Sequence, residues 1–261
     1  MNLLDQIIAS KKREVALKKE VISINQLENT DLFNAKTHSL SKSIINSPFG
    51  IIAEHKRRSP SKATINHSLS VEEVVQGYEN FGASGISILT DSQYFGGSLE
   101  DLLLAKASVT TPLLRKEFII DEYQILEAKA HGADAILLIA AVLSKEEIKS
   151  LSEFAHAIAL EVLLEVHNLE ELEQSIMPSL DIIGVNNRNL KTFEVSLQNS
   201  IDLVTKIPAD FVKISESGLS KPDDVKLLKS LGFQGFLIGE NFMKTDNPGV
   251  VLEQFINQLK A

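Results

Sequence analysis

Glu54 and Lys56 lie two residues apart where the apolar run Phe49-Gly-Ile-Ile-Ala53 ends. On a β-strand that spacing puts both side chains on one face, so a carboxylate and an ammonium stand side by side while His55 and Arg57 face the other way. Other apolar runs end in the same manner. Asp91 follows the second run, Lys116 the third, Glu165 the fifth, Asn186 and Arg188 the sixth, Ser215-Glu-Ser-Gly218 the seventh and Gly239 the eighth. Charged groups converging on one rim repel and desolvate one another, which costs stability unless a ligand or paired chemistry uses them. An ammonium crowded by cations or partly desolvated sheds its proton more readily, which marks Lys56 and Lys116 for electrostatic and acid roles. Glu165, leaving the apolar stretch Val162-Leu-Leu164, is expected to act as a base by the mirror-image effect.

The elements that must position these groups follow from the alternation of short β-rich apolar runs with longer amphipathic stretches, the pattern of repeated βα units on a parallel sheet. Strands are expected at 50–53, 85–89, 112–115, 135–138, 161–164, 182–185, 211–214 and 235–238, with helices at 71–81, 122–131, 145–159 and 221–231. Gly82, Gly132 and Gly232 follow three of those helices as left-handed stops. Eight strands in 261 residues match an α/β chain folded as a single (β/α)8 TIM barrel, typically roughly 250 residues, whose C-terminal strand ends carry active sites. An open doubly wound sheet competes, but the first βα turn lacks Gly-x-Gly-x-x-Gly.

Ahead of the barrel, residues 2–19 read as an amphipathic helix with Lys11-Lys-Arg13 on a solvated basic face. Residues 1–47 are expected to form a helical extension packed on a barrel of residues 48–261, one structural domain overall. The stretch from Asp91 to Gly97 reads as a bendable loop carrying Phe95 over the mouth. Small residues at Ser217-Gly218 and Gly239, each just before a helix, free backbone N–H groups that suit a phosphate.

The formal net charge of -9 argues against a nucleic-acid partner, which would require a dense basic face. The absence of cysteine excludes disulfides, thiolate metal sites and thiol nucleophiles. The six histidines show no ligand spacing, so no metal is expected, and His55 and His167 read as structural. The longest later apolar run, 135–143, is too short to span a bilayer and the N-terminus has no long apolar core, so a soluble cytoplasmic protein is expected.

Several of these segments, in order, resemble the indole-3-glycerol phosphate synthase family. They are Ile52-Ala-Glu-His-Lys-Arg-Arg-Ser-Pro-Ser-Lys62, Leu89-Thr-Asp91, Tyr94-Phe-Gly-Gly-Ser98, Leu114-Arg-Lys-Glu-Phe-Ile-Ile-Asp121, Gly132-Ala-Asp-Ala-Ile-Leu-Leu-Ile139, Leu164-Glu-Val-His167, Gly184-Val-Asn-Asn-Arg-Asn-Leu190, Ser215-Glu-Ser-Gly218 and Phe236-Leu-Ile-Gly239. The resemblance implies closure of 1-(2-carboxyphenylamino)-1-deoxyribulose 5-phosphate to indole-3-glycerol phosphate with loss of carbon dioxide and water, without cofactor or metal, by a monomer. It implies Lys116 as the general acid at the ketone and Glu165 in proton removal or dehydration, with Glu54 and Asn186 orienting them. Lys56 would bind the substrate carboxylate or phosphate and serve as acid in water loss. Arg188, Glu216 and Ser217 would complete the polar wall. Ser59, Ser217, Gly218, Gly239 and Glu240 would hold the phosphate, and Phe95, Phe118, Leu137 and Leu190 would line an aromatic slot. Glu117, Asn189 and Asn241 depart from the residues usual at their positions, without touching the reaction class. The related phosphoribosylanthranilate isomerase is disfavoured by the missing cysteine base, and a barrel that only binds a sugar phosphate need not keep both lysines with Glu165.

Overall fold

The computed structural model describes residues 2–190 and 192–261. Three helices precede the first strand: α1 (Leu3–Val21), α2 (Ile24–Glu28) and α3 (Leu40–Asn46). Eight parallel strands then pair in chain order: β1 (Ile51–His55), β2 (Gly85–Leu89), β3 (Leu113–Lys116), β4 (Ala135–Ile139), β5 (Glu161–Val166), β6 (Ile182–Asn186), β7 (Val212–Glu216) and β8 (Gly235–Ile238). β8 returns to pair with β1 and closes the barrel. The connections carry α4 (Val71–Asn80), α5 (Ser92–Phe95), α6 (Leu99–Ser108), α7 (Glu122–Ala130), α8 (Lys145–Ala157), α9 (Leu169–Ser175), α10 (Gln198–Leu203), α11 (Pro222–Ser230) and α12 (Glu240–Met243), and α13 (Pro248–Lys260) follows. Among the described residues no helix is long and apolar enough to cross a membrane.

Strand alternation divides the core in two. One set of strand side chains, including Ala53, Ile88 and Ile136, packs beneath the helices. The other set, including Ile52, Leu114, Leu163, Ile182, Ile214 and Leu237, fills the lumen. Leu40 and Ile44 of α3 join the lumen cluster with no exposed surface, so this helix plugs the barrel floor. Close approach there requires glycine: a Cβ on Gly235 would press on both Ile44 and Ile214.

β1 runs to His55 and β7 to Glu216, two residues past the expected ends, because polar residues keep the backbone ladder: Glu54 pairs with Ser87, and Asn186 with Glu216. The stretch from Asp91 to Gly97 is not an open loop. Asp91 Oδ1 accepts from the Tyr94 and Phe95 amides at 2.6 and 3.2 Å and winds Ser92–Phe95 into one helical turn.

Lys11 also departs from expectation. Lys12 and Arg13 are exposed, but Lys11 is 2% exposed, because helical periodicity aligns it with buried Ile7 and Val15 on one stripe. Its Nζ lies 2.7 Å from Glu14, 3.1 Å from Asp91 and 3.2 Å from Glu117. Burial opposes the ammonium, yet Glu117, Glu14 and Asp91 hold its pKa above the usual lysine range. Asp91, grouped by sequence with the rim, therefore faces α1 instead of the lumen. Glu14 keeps Lys18 and Glu117 keeps Arg115, but Lys11→Met leaves buried Asp91 without a cation and is expected to lower the unfolding free energy by about 3 kcal/mol. Urea unfolding checks this; a loss below about 1 kcal/mol would mean that water replaces the ammonium.

Candidate active site

Each strand that carries a candidate residue changes chemistry as it climbs the lumen. Ile52 gives way to Glu54 and then Lys56 on one face, Leu114 to Lys116, Leu163 to Glu165, and Ile214 to Glu216. The apolar layers form a floor and the polar layer lies at the C-terminal mouth. Glycines make room for it: a Cβ on Gly184 would overlap the Glu216 carboxylate, and one on Gly239 would overlap that of Glu54.

Lys116 Nζ, from β3, donates to Glu216 Oε2 at 2.5 Å and to Glu165 Oε2 at 3.2 Å. Lys56 Nζ donates to Glu54 Oε1 at 2.6 Å, as their shared strand face requires. Lys116 is thus ringed by carboxylates and not crowded by cations. Burial works against its charge, but Glu216, Glu165 and Glu54 outweigh burial and hold its pKa above the usual lysine range. It stays an ammonium, loaded to donate.

The two carboxylates beside it diverge. Burial favours the neutral form of each. At Glu165 that push is overcome by Lys116 and then by His167 and Asn186, and the group is held well below the usual carboxylate range. At Glu216 burial, joined by repulsion from Glu165 and Glu54, outweighs the pull of Lys116, and the pKa is raised to about 7. The carboxyl pushed upward is Glu216, whereas the sequence pointed to Glu165. His167 corrects a second expectation. It is not confined to packing: its Nε2 lies 3.3 Å from Glu165 Oε1. His55, by contrast, is buried on the opposite strand face, beside Arg57, whose guanidinium is bound by Asp101.

The loops after β6 and β7 lock together. Asn187 Nδ2 donates to Ser215 Oγ at 2.9 Å and to the Ser217 carbonyl at 3.1 Å. That bond steadies Ser217, which sits at φ +70° beside Gly218 at φ +77°, a left-handed pair costly for a serine. Asn186 Oδ1 accepts from the Arg188 amide at 2.9 Å, and Arg188 Nη1 donates to the Phe193 carbonyl at 3.2 Å. Glu240 opens α12 and accepts from Lys62 Nζ at 2.5 Å.

The residues expected at the site surround one cavity of about 410 Å³. Glu54, Lys56, Ser59, Lys116, Glu165, Asn186, Arg188, Glu216, Ser217, Gly218, Gly239 and Glu240 form its polar side, while Phe95, Phe118, Leu137 and Leu190 supply apolar wall. Phe95 reaches Phe118 with ring centroids 6.1 Å apart. Sequence reasoning missed Leu3, Leu4 and Ile7 of α1 as cavity wall, although their apolar stripe had to cover something; Phe193 and Lys244 gave no signal. An apolar wall with two aromatic rings beside a fixed ammonium suits an aromatic substrate whose transition state builds negative charge on oxygen.

The family described as indole-3-glycerol phosphate synthase matches residues 4–257. The indole-3-glycerol phosphate synthase of Bacteroides thetaiotaomicron is 49% identical over 99% of both chains, and that of Aliarcobacter butzleri is 42% identical over 98% of this chain and 99% of its own. Among solved structures, thiamine phosphate pyrophosphorylase from Pyrococcus furiosus superposes with a TM-score of 0.61 at 15% identity, covering 85% of this chain and 98% of its own. A mutant tryptophan synthase alpha-subunit from a hyperthermophile, Pyrococcus furiosus, gives 0.61 at 15% identity over 81% of this chain and 97% of its own. These distant likenesses speak for the barrel alone, whereas the full-length sequence matches carry the family. The chain belongs to the indole-3-glycerol phosphate synthase family.

Proposed function

We propose that this chain closes 1-(2-carboxyphenylamino)-1-deoxyribulose 5-phosphate to indole-3-glycerol phosphate with loss of carbon dioxide and water, as a carboxy-lyase of tryptophan biosynthesis. The observation that carries the mechanism is the Lys116 ammonium, fixed between Glu165 and Glu216 beside the Phe95–Phe118 wall. As the aryl carbon attacks the ketone, charge develops on the ketone oxygen, and Lys116 donates to it. Glu165 assists removal of the methylene proton during dehydration. Glu54 holds Lys56, which binds the substrate carboxylate or phosphate and serves as the acid for water loss. Asn186 orients Glu165, Glu216 holds Lys116, and Ser217 completes the polar wall. Ser59, Arg188, Ser217, Gly218, Gly239 and the amide of Glu240 bind the phosphate. Phe95, Phe118, Leu137 and Leu190 fold the substrate into its reactive pose.

Within the same reading, residues 1–47 serve as an extension on the barrel of residues 48–261, and the chain works as a cytoplasmic monomer without a nucleic-acid partner. The net charge of -9 supports the last point. The chain contains no tryptophan, so product formation is visible as new indole fluorescence over a quiet background. Purified protein mixed with the substrate is expected to give a growing signal. Saturable substrate binding without that signal would favour a barrel that only binds a sugar phosphate.

A further inference from the structure

Lys62 takes no part in the proposed chemistry, yet it reaches the segment that would hold the phosphate. It is carried by the connection that leaves β1, and that connection is tied to α12 at both ends. The Arg57 carbonyl accepts from the Ile65 and Asn66 amides at 2.8 and 3.2 Å, which draws the two limbs of the connection together. Asn66 Nδ2 fastens the return limb by donating to the Met243 and Thr245 carbonyls, each at 3.1 Å. At the tip Ser59 and Lys62 exchange backbone hydrogen bonds at 2.8 and 3.0 Å, so the serine proposed for the phosphate and this lysine belong to one tight turn. From that turn Lys62 Nζ donates to Glu240 Oε1 at 2.5 Å.

A carboxylate is out of keeping with an anion site. Glu240 lines the main cavity together with Ser59, Ser217, Gly218 and Gly239. Left to itself it would repel a phosphate ester, which carries about two negative charges at neutral pH. Cations gather on it instead. Burial disfavours its charge, but Lys62, then Lys56 and Arg188, hold the Glu240 carboxyl below the usual carboxylate range. Lys56 and Arg188 line the same cavity. Cations from the segments after β1 and β6 thus converge on one carboxylate, an arrangement suited to a small anion.

Resting on the synthase reading for the identity of the ligand, we propose that Lys62 is a further phosphate-binding residue and that the Glu240 carboxylate stands in for the phosphate until the ester displaces it. Lys62 then passes from Glu240 to the phosphate. The ester carries more negative charge than the carboxylate and so attracts the same cations more strongly, and the flexible lysine stem lets the ammonium follow it. The displaced carboxylate turns to water, while the Glu240 amide remains on the phosphate. One residue thereby acts in two opposite senses: its amide draws the phosphate in, and its side chain limits how tightly the cations hold it. The product keeps the phosphate of the substrate, so that limit also favours product release.

The test is an NMR titration of the Gly218 and Gly239 amides with inorganic phosphate, at fixed pH and ionic strength, on the parent chain, Lys62→Met, Glu240→Gln and the double variant. The Lys62 side chain is 50% exposed and that of Glu240 38%, so neither substitution disturbs the core. Lys62→Met is expected to weaken phosphate binding about fivefold, the scale of a partly exposed charge pair, and to raise the KM for substrate in parallel. Glu240→Gln is expected to tighten phosphate binding about threefold, because a competing anion is gone. The deciding comparison sets the double variant against Glu240→Gln alone. A direct contact leaves the fivefold loss in place, whereas a lysine that merely screens Glu240 leaves none. Disappearance of the loss in that background, parent-like binding by Lys62→Met, weaker binding by Glu240→Gln, or parent amides without a saturable shift would each overturn the proposal. A parent chain that binds phosphate there but yields no indole fluorescence from the substrate would overturn the synthase reading and leave the Lys62 contact standing.

Discussion

Lys116→Ala is expected to lower kcat by at least about a thousandfold, because the side chain serves both as proton donor and as the positive charge facing the developing oxyanion. The neighbouring cation does not substitute for it. Lys56 Nζ is held by Glu54 at 2.6 Å on another strand. Deletion of Lys116 also turns an attractive site into a repulsive one, leaving Glu165 and Glu216 facing the ketone oxygen. Burial then drives those carboxyls toward their neutral forms, so the barrel keeps its fold while its chemistry stops. The segments proposed for the phosphate, Ser217-Gly218 and Gly239-Glu240, lie on β7–α11 and β8–α12 connections whose backbone bonds do not involve Lys116. Substrate binding should survive, so the loss falls on kcat far more than on KM. Indole fluorescence under saturating substrate measures this; a variant within about tenfold of the parent would remove Lys116 from the acid role.

Glu165→Gln is expected to cost about a hundredfold in kcat, since glutamine keeps the shape but accepts no proton from the methylene carbon. The substitution also has a spectroscopic signature. Glu165 and Glu171 together raise His167 to about 10 from its ordinary 6.5. A group raised in the folded state contributes stability that is fully present below its unfolded pKa and lost as pH rises through its folded pKa. For the parent chain that loss runs from about 6.5 to about 10. In Glu165→Gln the imidazole retains Glu171 alone, so its titration moves down and the loss of stability is complete at a lower pH. NMR titration of the His167 ring protons checks the shift. An unmoved pKa would show that Glu171 alone holds the imidazolium, and an unchanged kcat would exclude Glu165 as the base.

Much of this arrangement is legible locally. Glu54 and Lys56 share a face because alternate residues of a strand do, and the same rule places Lys116 above Leu114 and Glu165 above Leu163. The eight apolar runs announce the closed barrel, and a barrel places strand ends at one mouth. Strand limits were less legible. β1 continues through Glu54 and His55 because the ladder needs only backbone groups, which side-chain polarity does not report. Lys11 looked like one of three solvated cations, and only the packing of α1 on the barrel, which buries Asp91 and Glu117 beside it, gives it a partner set.

The sequence by itself determined the barrel, the strands that deliver each charged group, and the family with its reaction. Tertiary structure alone decided the charge states. Lys116 meets Glu165 and Glu216 from positions 49 and 100 residues away, and those distances make it a retained ammonium instead of a weakened one. They also separate two carboxyls of the same type, since Glu165 gains His167 as a second cation whereas Glu216 faces Glu165 and Glu54. Backbone geometry repeats over two or four residues and is written in local spacing. Coulomb interactions and desolvation depend on which groups meet across the lumen, and that is settled only when the barrel closes.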